Sequence, residues 1–354
     1  MTTVSLPQLA GSTLITHSRA GTFKACPRKH WMRYVLGVRP ASSTVAQGVG
    51  SAVHNAIDAR FKGADIDEVC RTAQGVQHNG EDLEYDRWTA YTLAHQYCWR
   101  WGHLRETNPT DMMFDRCLAS EIAFELPIPG VRGLRVAGKI DRIVQLTDGR
   151  IVIAETKTCS EDIEPGSLYW QVAEIDTQET LYVWAARKMG YNVNSVIRDV
   201  IRKPTIRPKQ IPHLDGDGLK IVLDASGQRV YLKNGKPRQS AEDDTQKLQA
   251  RIETPQEFAA RLHQDTVDRP DFYYQRRELP RMDSEVAELE NDLRGVANAI
   301  RDAGKYGRHY RSTSACRSYG GCEYLSVCKT FSENDTPAGF VRVTDIHPEL
   351  TTKE

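Results

Sequence analysis

The segment Gly138 to Thr158, GKIDRIVQLTDGRIVIAETKT, constrains this chain more than any other. Two runs rich in β-branched residues flank Asp148-Gly149, and Asp-Gly between such runs predicts a hairpin. In the second run Glu155 and Lys157 stand two apart, so on a strand both project from one face. Asp141, in the first run, reaches the same place across the hairpin. Apolar residues such as Ile151 and Ile153 suit a strand buried in a sheet, whereas a carboxylate and an ammonium closing that run do not. They mark either a reactive site or an exposed hairpin with an ordinary cross-strand ion pair.

The surrounding pattern predicts an α/β core with helical decoration. Helices are expected over Ser18 to Val38, Gly48 to Phe61, the aromatic-rich stretch Asp65 to Thr107, and Thr177 to Met189. A long polar helix runs from Ser284 to Ala303, with Val286, Leu289, Leu293, Val296 and Ile300 at spacings of three and four. Strands are expected over Cys117 to Leu126, Leu134 to Leu146, Ile151 to Lys157 and Ser195 to Ile201, with a second hairpin at Ile221 to Leu232 around Ser226-Gly227. No internal repeat is evident. The chain divides into an N-terminal helical part (1–64), a helical insertion (65–115), the core (116–210), a hairpin, long helix and cysteine-rich segment (211–330) and a tail (331–354).

At 354 residues and 40% hydrophobic, the chain is long enough for one large domain or two small ones. No apolar run approaches the roughly 20 residues that span a bilayer, and Met1 to Ala20 lacks a basic start and an unbroken apolar stretch. A soluble cytoplasmic protein with no membrane partner is expected, from a bacterial, archaeal or phage-infected cell. Lysine and arginine balance aspartate and glutamate at 47 each, so any nucleic-acid face has to be a local patch.

A carboxylate pair beside a lysine suits phosphodiester hydrolysis. Carboxylates bind hard cations such as Mg²⁺ or Mn²⁺, the cation activates water and polarises the phosphoryl oxygen, and an ammonium offsets developing negative charge. Asp141 followed by Glu155-Thr156-Lys157 resembles the motif of the PD-(D/E)xK nucleases. Gly50-Ser51-Ala52-Val53-His54 resembles the Gly-x-x-x-His of the RecB-like members, and Gln178-Glu179-Thr180-Leu181-Tyr182 their Gln-x-x-x-Tyr, in the order found in that family. The resemblance implies a restriction-endonuclease-like core, a mixed central sheet flanked by helices. It implies catalysis by Asp141, Glu155 and Lys157 and metal ligation by His54, Asp141 and Glu155, with the Thr156 carbonyl a candidate fourth ligand. Gln178 and Tyr182, one helix turn apart on one face, would contact substrate. Glu121, on the preceding strand, stands where relatives often carry an acid that supports the site; a solvated strand glutamate is the other reading.

Cys316, Cys322 and Cys328 follow a C-x5-C-x5-C spacing, and Cys26 lies far upstream in Ala-Cys-Pro-Arg-Lys-His-Trp. Four thiolates are what a 4Fe–4S cluster requires. One ligand before the core and three after it resembles the iron–sulfur RecB-like nucleases, including AddB-type subunits and CRISPR-associated exonucleases. Several relatives carry C-x-x-C where both gaps here are five, which leaves zinc on four thiolates as an alternative, although the usual C-x2–4-C knuckles of structural zinc are absent. The cluster would clip the C-terminal segment to the N-terminal helix. Cys70, Cys98, Cys117 and Cys159 read as buried thiols.

Basic residues gather at Arg28, Lys29 and Arg33; at Arg198, Arg202, Lys203, Arg207 and Lys209; at Arg276, Arg277 and Arg281; and at Arg301, Lys305, Arg308 and Arg311. In one groove, interleaved with tyrosines, they would track a single strand. Gly235-Lys236 is followed by Pro237, so there is no Walker A lysine–serine pair and no motor. The resemblance therefore implies a metal-dependent DNA nuclease acting in recombination, repair or processing. It favours an exonuclease on single-stranded ends, alone or with a protein partner. A non-catalytic DNA-binding or assembly module on the same fold, a structure-specific endonuclease and an RNA nuclease are the alternatives.

Overall fold

The computed structural model describes residues 13–41, 45–76, 83–101, 114–330 and 336–350, and the side chains of 45, 46 and 318–320 fall outside that description. In chain order the elements are β1 (Leu14–Ile15), α1 (His17–Ala25), α2 (Pro27–His30), a π-helical turn (Trp31–Val35), β2 (Val38–Pro40), α3 (Val45–Phe61), α4 (Ile66–Ala73) and α5 (Glu84–Arg100). The core follows as β3 (Phe114–Pro127), β4 (Arg135–Leu146), β5 (Ile151–Cys159), α6 (Leu168–Glu174), α7 (Thr177–Lys188) and β6 (Val193–Arg202). Short strands β7 (Gln210–Pro212), β8 (Val222–Leu223), β9 (Lys247–Leu248) and β10 (Ala250–Ile252) precede α8 (Pro255–Asp268), α9 (Pro270–Tyr273), β11 (Tyr274–Pro280) and α10 (Asp283–Tyr306). The chain closes with α11 (Leu325–Cys328) and β12 (Phe340–Arg342), the latter antiparallel to β2.

The main sheet is mixed. β5 and β6 are parallel, β11 runs antiparallel on β6, and β4 pairs antiparallel with β3 along one edge. β4's other edge is shared: β1 takes Arg135 and Val136 in parallel, and β5 takes Arg142 to Gln145 antiparallel. Between them, from Ala137 to Asp141, that edge has no ladder partner among the described residues. One sheet face packs on α1, α7 and α10 through Phe23, Leu181, Trp184, Leu289 and Leu293 against Ile140, Ile143, Ile153 and Val196. The other is covered by α3, α4, α5 and α8, with Val53, Ile57, Val69, Leu93 and Leu262 meeting Ile201 and Tyr274. With both faces covered, β6 is buried almost throughout, its polar Ser195, Arg198 and Asp199 included. Among the described residues no helix is long and apolar enough to cross a membrane.

The expected helix from Ser18 to Val38 is broken at Cys26, whose backbone is extended (φ −159°, ψ 106°). Pro27 then opens α2, where its missing N–H costs nothing. The Asp65 to Thr107 expectation resolves into α4 and α5, and its part beyond 101 lies outside the described residues. The turn that joins β4 to β5 at Leu146/Arg150 recurs three times in succession further along the chain. Turns at Asp215/Leu219, Asp224/Gln228 and Leu232/Lys236 close with the same pair of backbone hydrogen bonds. Each carries a glycine with positive φ, at Gly218, Gly227 and Gly235. The predicted hairpin at Ile221 to Leu232 is the middle turn, extended by the bridge Leu223↔Arg229.

Several of the cations expected in a groove are structural instead. Arg198 and Arg281 both pair with the buried Glu179, and Arg276 forms a two-pronged pair with Asp199, which also accepts the Tyr97 hydroxyl at 2.5 Å. Arg202 leans on Asp162 and the Phe272 ring, and Arg277 lies over Trp170. Removing the anion from such a pair strands a desolvated cation, at about 3–5 kcal/mol. Asp199→Ala is expected to lower the unfolding free energy by about that much, read as a fall in the urea midpoint at unchanged slope.

Candidate active site

The open edge of β4 is the wall of a cavity of about 210 Å³. Asp141, Glu155 and Lys157 line it together with His54 of α3 and Gln178 and Tyr182 of α7. The six side chains expected to converge are thus brought to one place from four elements. The ladder between β4 and β5 stops at Arg142↔Ala154, one residue short of Asp141 and Glu155. Beyond it the strands part, and the Thr156 N–H donates to Asp141 Oδ2 at 3.1 Å. The Thr156 side chain points away from the cavity and accepts from Arg142 Nη2.

Two glycines permit the approach. A Cβ on Gly50 would lie 2.8 Å from Thr158 Oγ1, so only glycine lets α3 press against β5 and deliver His54, one turn later, to within 3.8 Å of Asp141 Oδ2. A Cβ on Gly138 would strike the Phe124 ring at 2.6 Å; that ring stands edge-on to Tyr182. From α7 a relay of hydrogen bonds reaches the strand: Gln178 Nε2 donates to the Tyr182 hydroxyl at 2.8 Å, and Lys157 Nζ donates to Gln178 Oε1 at 2.9 Å and to Glu155 Oε1 at 2.6 Å.

The electrostatics set the two carboxylates apart. Burial opposes ionisation of Asp141, but Arg142, His54, Lys157 and the Thr156 N–H outweigh it and hold its carboxyl below the ordinary range. Burial and the neighbouring Asp141 charge push Glu155 up to about 7 despite Lys157. Glu155 is 2% exposed, and its Oε2 is buried without a hydrogen-bond partner among the described residues. Desolvation lowers His54 to about 4, leaving a neutral imidazole able to ligate a cation. For Lys157 burial is outweighed by Glu155 and Asp141, so the ammonium persists. Among the described residues no group of three or more His, Cys, Asp or Glu side chains already stands in ligand array. The donor set still suits a hard divalent cation. It holds two carboxylates and a neutral imidazole, with one carboxylate oxygen buried and unanswered.

The polar lining residues Thr16, His17, Ser18, Lys139 and Glu349 escaped the sequence reading. His17 Nε2 lies 3.1 Å from Thr177 Oγ1, and the Thr16 hydroxyl donates to Glu349 Oε1 at 2.8 Å. Lys139 pairs with Glu121, which has positive φ (51°) and does not itself line the cavity.

The four cysteines of the expected cluster occupy a separate corner. Arg28 N–H donates to Tyr310 O, and Ser312 N–H points at Cys26 Sγ from 3.5 Å. Cys316 Sγ lies 3.9 Å from Ser312 O, Cys322 N–H donates to Cys316 O, and Cys322 and Cys328 pack on Trp31, Met32 and Tyr324. Of the other thiols, Cys70 and Cys98 are buried as expected, and Cys117 and Cys159 are only half-buried.

A family model described as the PD-(D/E)XK nuclease superfamily matches residues 14–329. The chain belongs to this superfamily. Its members are nucleases that use divalent metals such as Mg²⁺ or Mn²⁺, and the mixed sheet flanked by helices is the fold expected of them. No curated protein matches the chain significantly.

Because Glu155 holds its proton to about 7, the folded protein binds more protons than the unfolded chain between its ordinary value of 4.5 and that point. The stabilisation this gives is complete below 4.5 and is lost as pH rises through 7. In EDTA, Glu155→Gln is therefore expected to raise the Tm relative to the parent more at pH 8 than at pH 5, while removing activity. An equal shift at both pH values would show that Glu155 is not held protonated.

Proposed function

We propose that this protein is a metal-dependent DNA nuclease of the RecB-like iron–sulfur branch, acting as an exonuclease on single-stranded ends in recombination, repair or DNA processing. The observation that carries the reading is the unanswered Oε2 of buried Glu155 beside Asp141 at the unpaired edge of β4. His54, Asp141 and Glu155, with the Thr156 carbonyl, would hold Mg²⁺ or Mn²⁺. When bound, the cation supplies Lewis acidity and a more acidic water. Lys157, fixed by Glu155 and Gln178, orients the attacking water and offsets charge gathering on the phosphoryl oxygens. Gln178 and Tyr182 hold the scissile phosphate's neighbours. Converging carboxylates and a tethered lysine favour catalysis over a non-catalytic scaffold.

Cys26, Cys316, Cys322 and Cys328 would carry a 4Fe–4S cluster, a reading supported by the contacts that draw Cys26 and Cys316 to opposite sides of the Ser312 backbone. The cluster would join the break after α1 to the segment beyond α10, so its part is in holding the fold rather than in the chemistry.

End-labelled single- and double-stranded DNA, incubated with anaerobically purified protein and Mn²⁺ or Mg²⁺, should be degraded, and EDTA should stop the reaction. Lys157→Ala and Asp141→Ala should each lose about 10²-fold or more in kcat, and the product ladder should shorten from one end. Full activity in either variant would end the assignment. Cys322→Ser should lose bound iron and lower the Tm, with a smaller effect on kcat of the protein that remains folded. Zinc in place of iron in the purified protein would exclude the cluster.

A further inference from the structure

A second cavity, of about 410 Å³, lies between α1, the loop joining β3 to β4 and the C-terminal end of α10. Its polar lining is Arg19, His30, Arg132, Arg301, Lys305 and His309, with no carboxylate among the described residues. In a chain with 47 acidic and 47 basic residues, that bias is not a reflection of composition. Arg132, Arg301 and Lys305 are exposed, and none forms an ion pair among the described residues.

Behind this lining His30 is 2% exposed, and its Nε2 accepts from Arg19 Nε at 3.1 Å, which holds the Arg19 side chain against the cavity. Burial, with Arg19 beside it, pushes His30 down to about 3, so the ring stays a neutral acceptor. Cations around one cavity, with no carboxylate among the described lining residues to answer them, call for an anion that takes several charge-assisted hydrogen bonds, as a phosphate group does.

The catalytic cavity is mixed instead: Asp141, Glu155 and Glu349 share it with Lys139 and Lys157. Carboxylates that attract a cation repel a phosphodiester, so a strand needs positive ground close by. Helix α1 supplies the link: Thr16, His17 and Ser18 line the catalytic cavity, and Arg19 lines the basic one. We propose that the Arg132–Arg301–Lys305 cavity is a phosphate-binding site that grips the backbone of the nucleic-acid strand outside the catalytic pocket. This rests on the nuclease reading for the identity of the strand, and on the cavity alone for the anion.

The test uses full-length protein carrying Lys157→Ala, so that bound DNA survives. Anisotropy of a labelled single strand is titrated across a salt series, and inorganic phosphate is added in thermal melts. The triple variant Arg132→Ala, Arg301→Ala, Lys305→Ala removes only exposed side chains. A control triple, Lys233→Ala, Lys236→Ala, Lys247→Ala, removes the same charge from exposed positions in the turn segment and β9. The cavity variant should bind DNA more weakly, with the slope of log K against log salt reduced by about 2 for three lost contacts. Phosphate should raise the Tm of the parent and not of this variant, and the control should behave as the parent.

Phosphate protection lost with DNA binding unchanged would assign the cavity to a free phosphate compound and overturn its role on the strand. An equal loss in the control would reduce the effect to bulk charge and overturn the site, as would no change in either readout. Protein with an intact Lys157 that binds strands through this cavity but never cleaves them would end the nuclease reading and leave this one standing.

Discussion

Asp141 and Glu155 are pressed together where β4 and β5 stop pairing, and the region around them is arranged to tolerate two carboxylates in one desolvated place. The partners are shared unequally. Asp141 takes a backbone N–H, Arg142 and the His54 contact, whereas Glu155 has Lys157 on one oxygen and, among the described residues, no hydrogen-bond partner on the other. Like charges in low dielectric cannot both ionise without help, so the strain collects on Glu155, whose pKa stands near 7. A divalent cation is the one addition that would answer Oε2 and cancel the repulsion together. The sheet makes room for it by letting β1 and β5 share the edge of β4 without meeting.

Stability and function are joined through β6 and α7. Arg198 and Asp199 are neighbours on β6 and therefore face opposite sides of the sheet. Arg198 reaches α7 at Glu179 and Asp176; Asp199 reaches Tyr97 and Arg276 on the other side. Glu179, clamped also by Arg281, is the residue next to Gln178, which holds Lys157. Buried ion pairs contribute little net stability over apolar packing, but they fix one geometry. Here that geometry sets the rotation of α7, and with it the position of the Lys157 relay.

The strands of the candidate site were legible because their pattern is written in local spacing. Asp-Gly marks the hairpin, and Glu155 and Lys157 at i and i+2 must share a face. Gly50 and His54 were legible as a pair, although only the structure shows that a Cβ at Gly50 would collide with Thr158. His17 and Glu349 were not legible. They reach the cavity from near the two ends of the described chain, and no periodicity links them to β4 or β5. Arg198, Arg276 and Arg281 misled because a cation beside tyrosines looks the same whether it tracks phosphate or neutralises a buried glutamate. The turn repeat was missed because its units share little more than one glycine at the fourth position, spaced by nine and then eight residues. The break at Cys26 was legible in principle, because the proline that follows pushes the preceding residue out of the helical region.

The balanced net charge conceals how the charges are distributed. Carboxylates meet beside two lysines in the candidate site, and at the cavity next along α1 cations gather with no carboxylate among the described lining residues. A metal nuclease requires some such separation, because the ligands that bind the cation are the wrong sign for the substrate. Mixing the two sets would produce internal ion pairs like those of Arg198 and Arg276, which are silent toward both metal and phosphate. A sum over the chain returns zero for either arrangement, so composition carries no information on this point. Position alone distinguishes a charge that is spent on the fold from one that is left for a ligand.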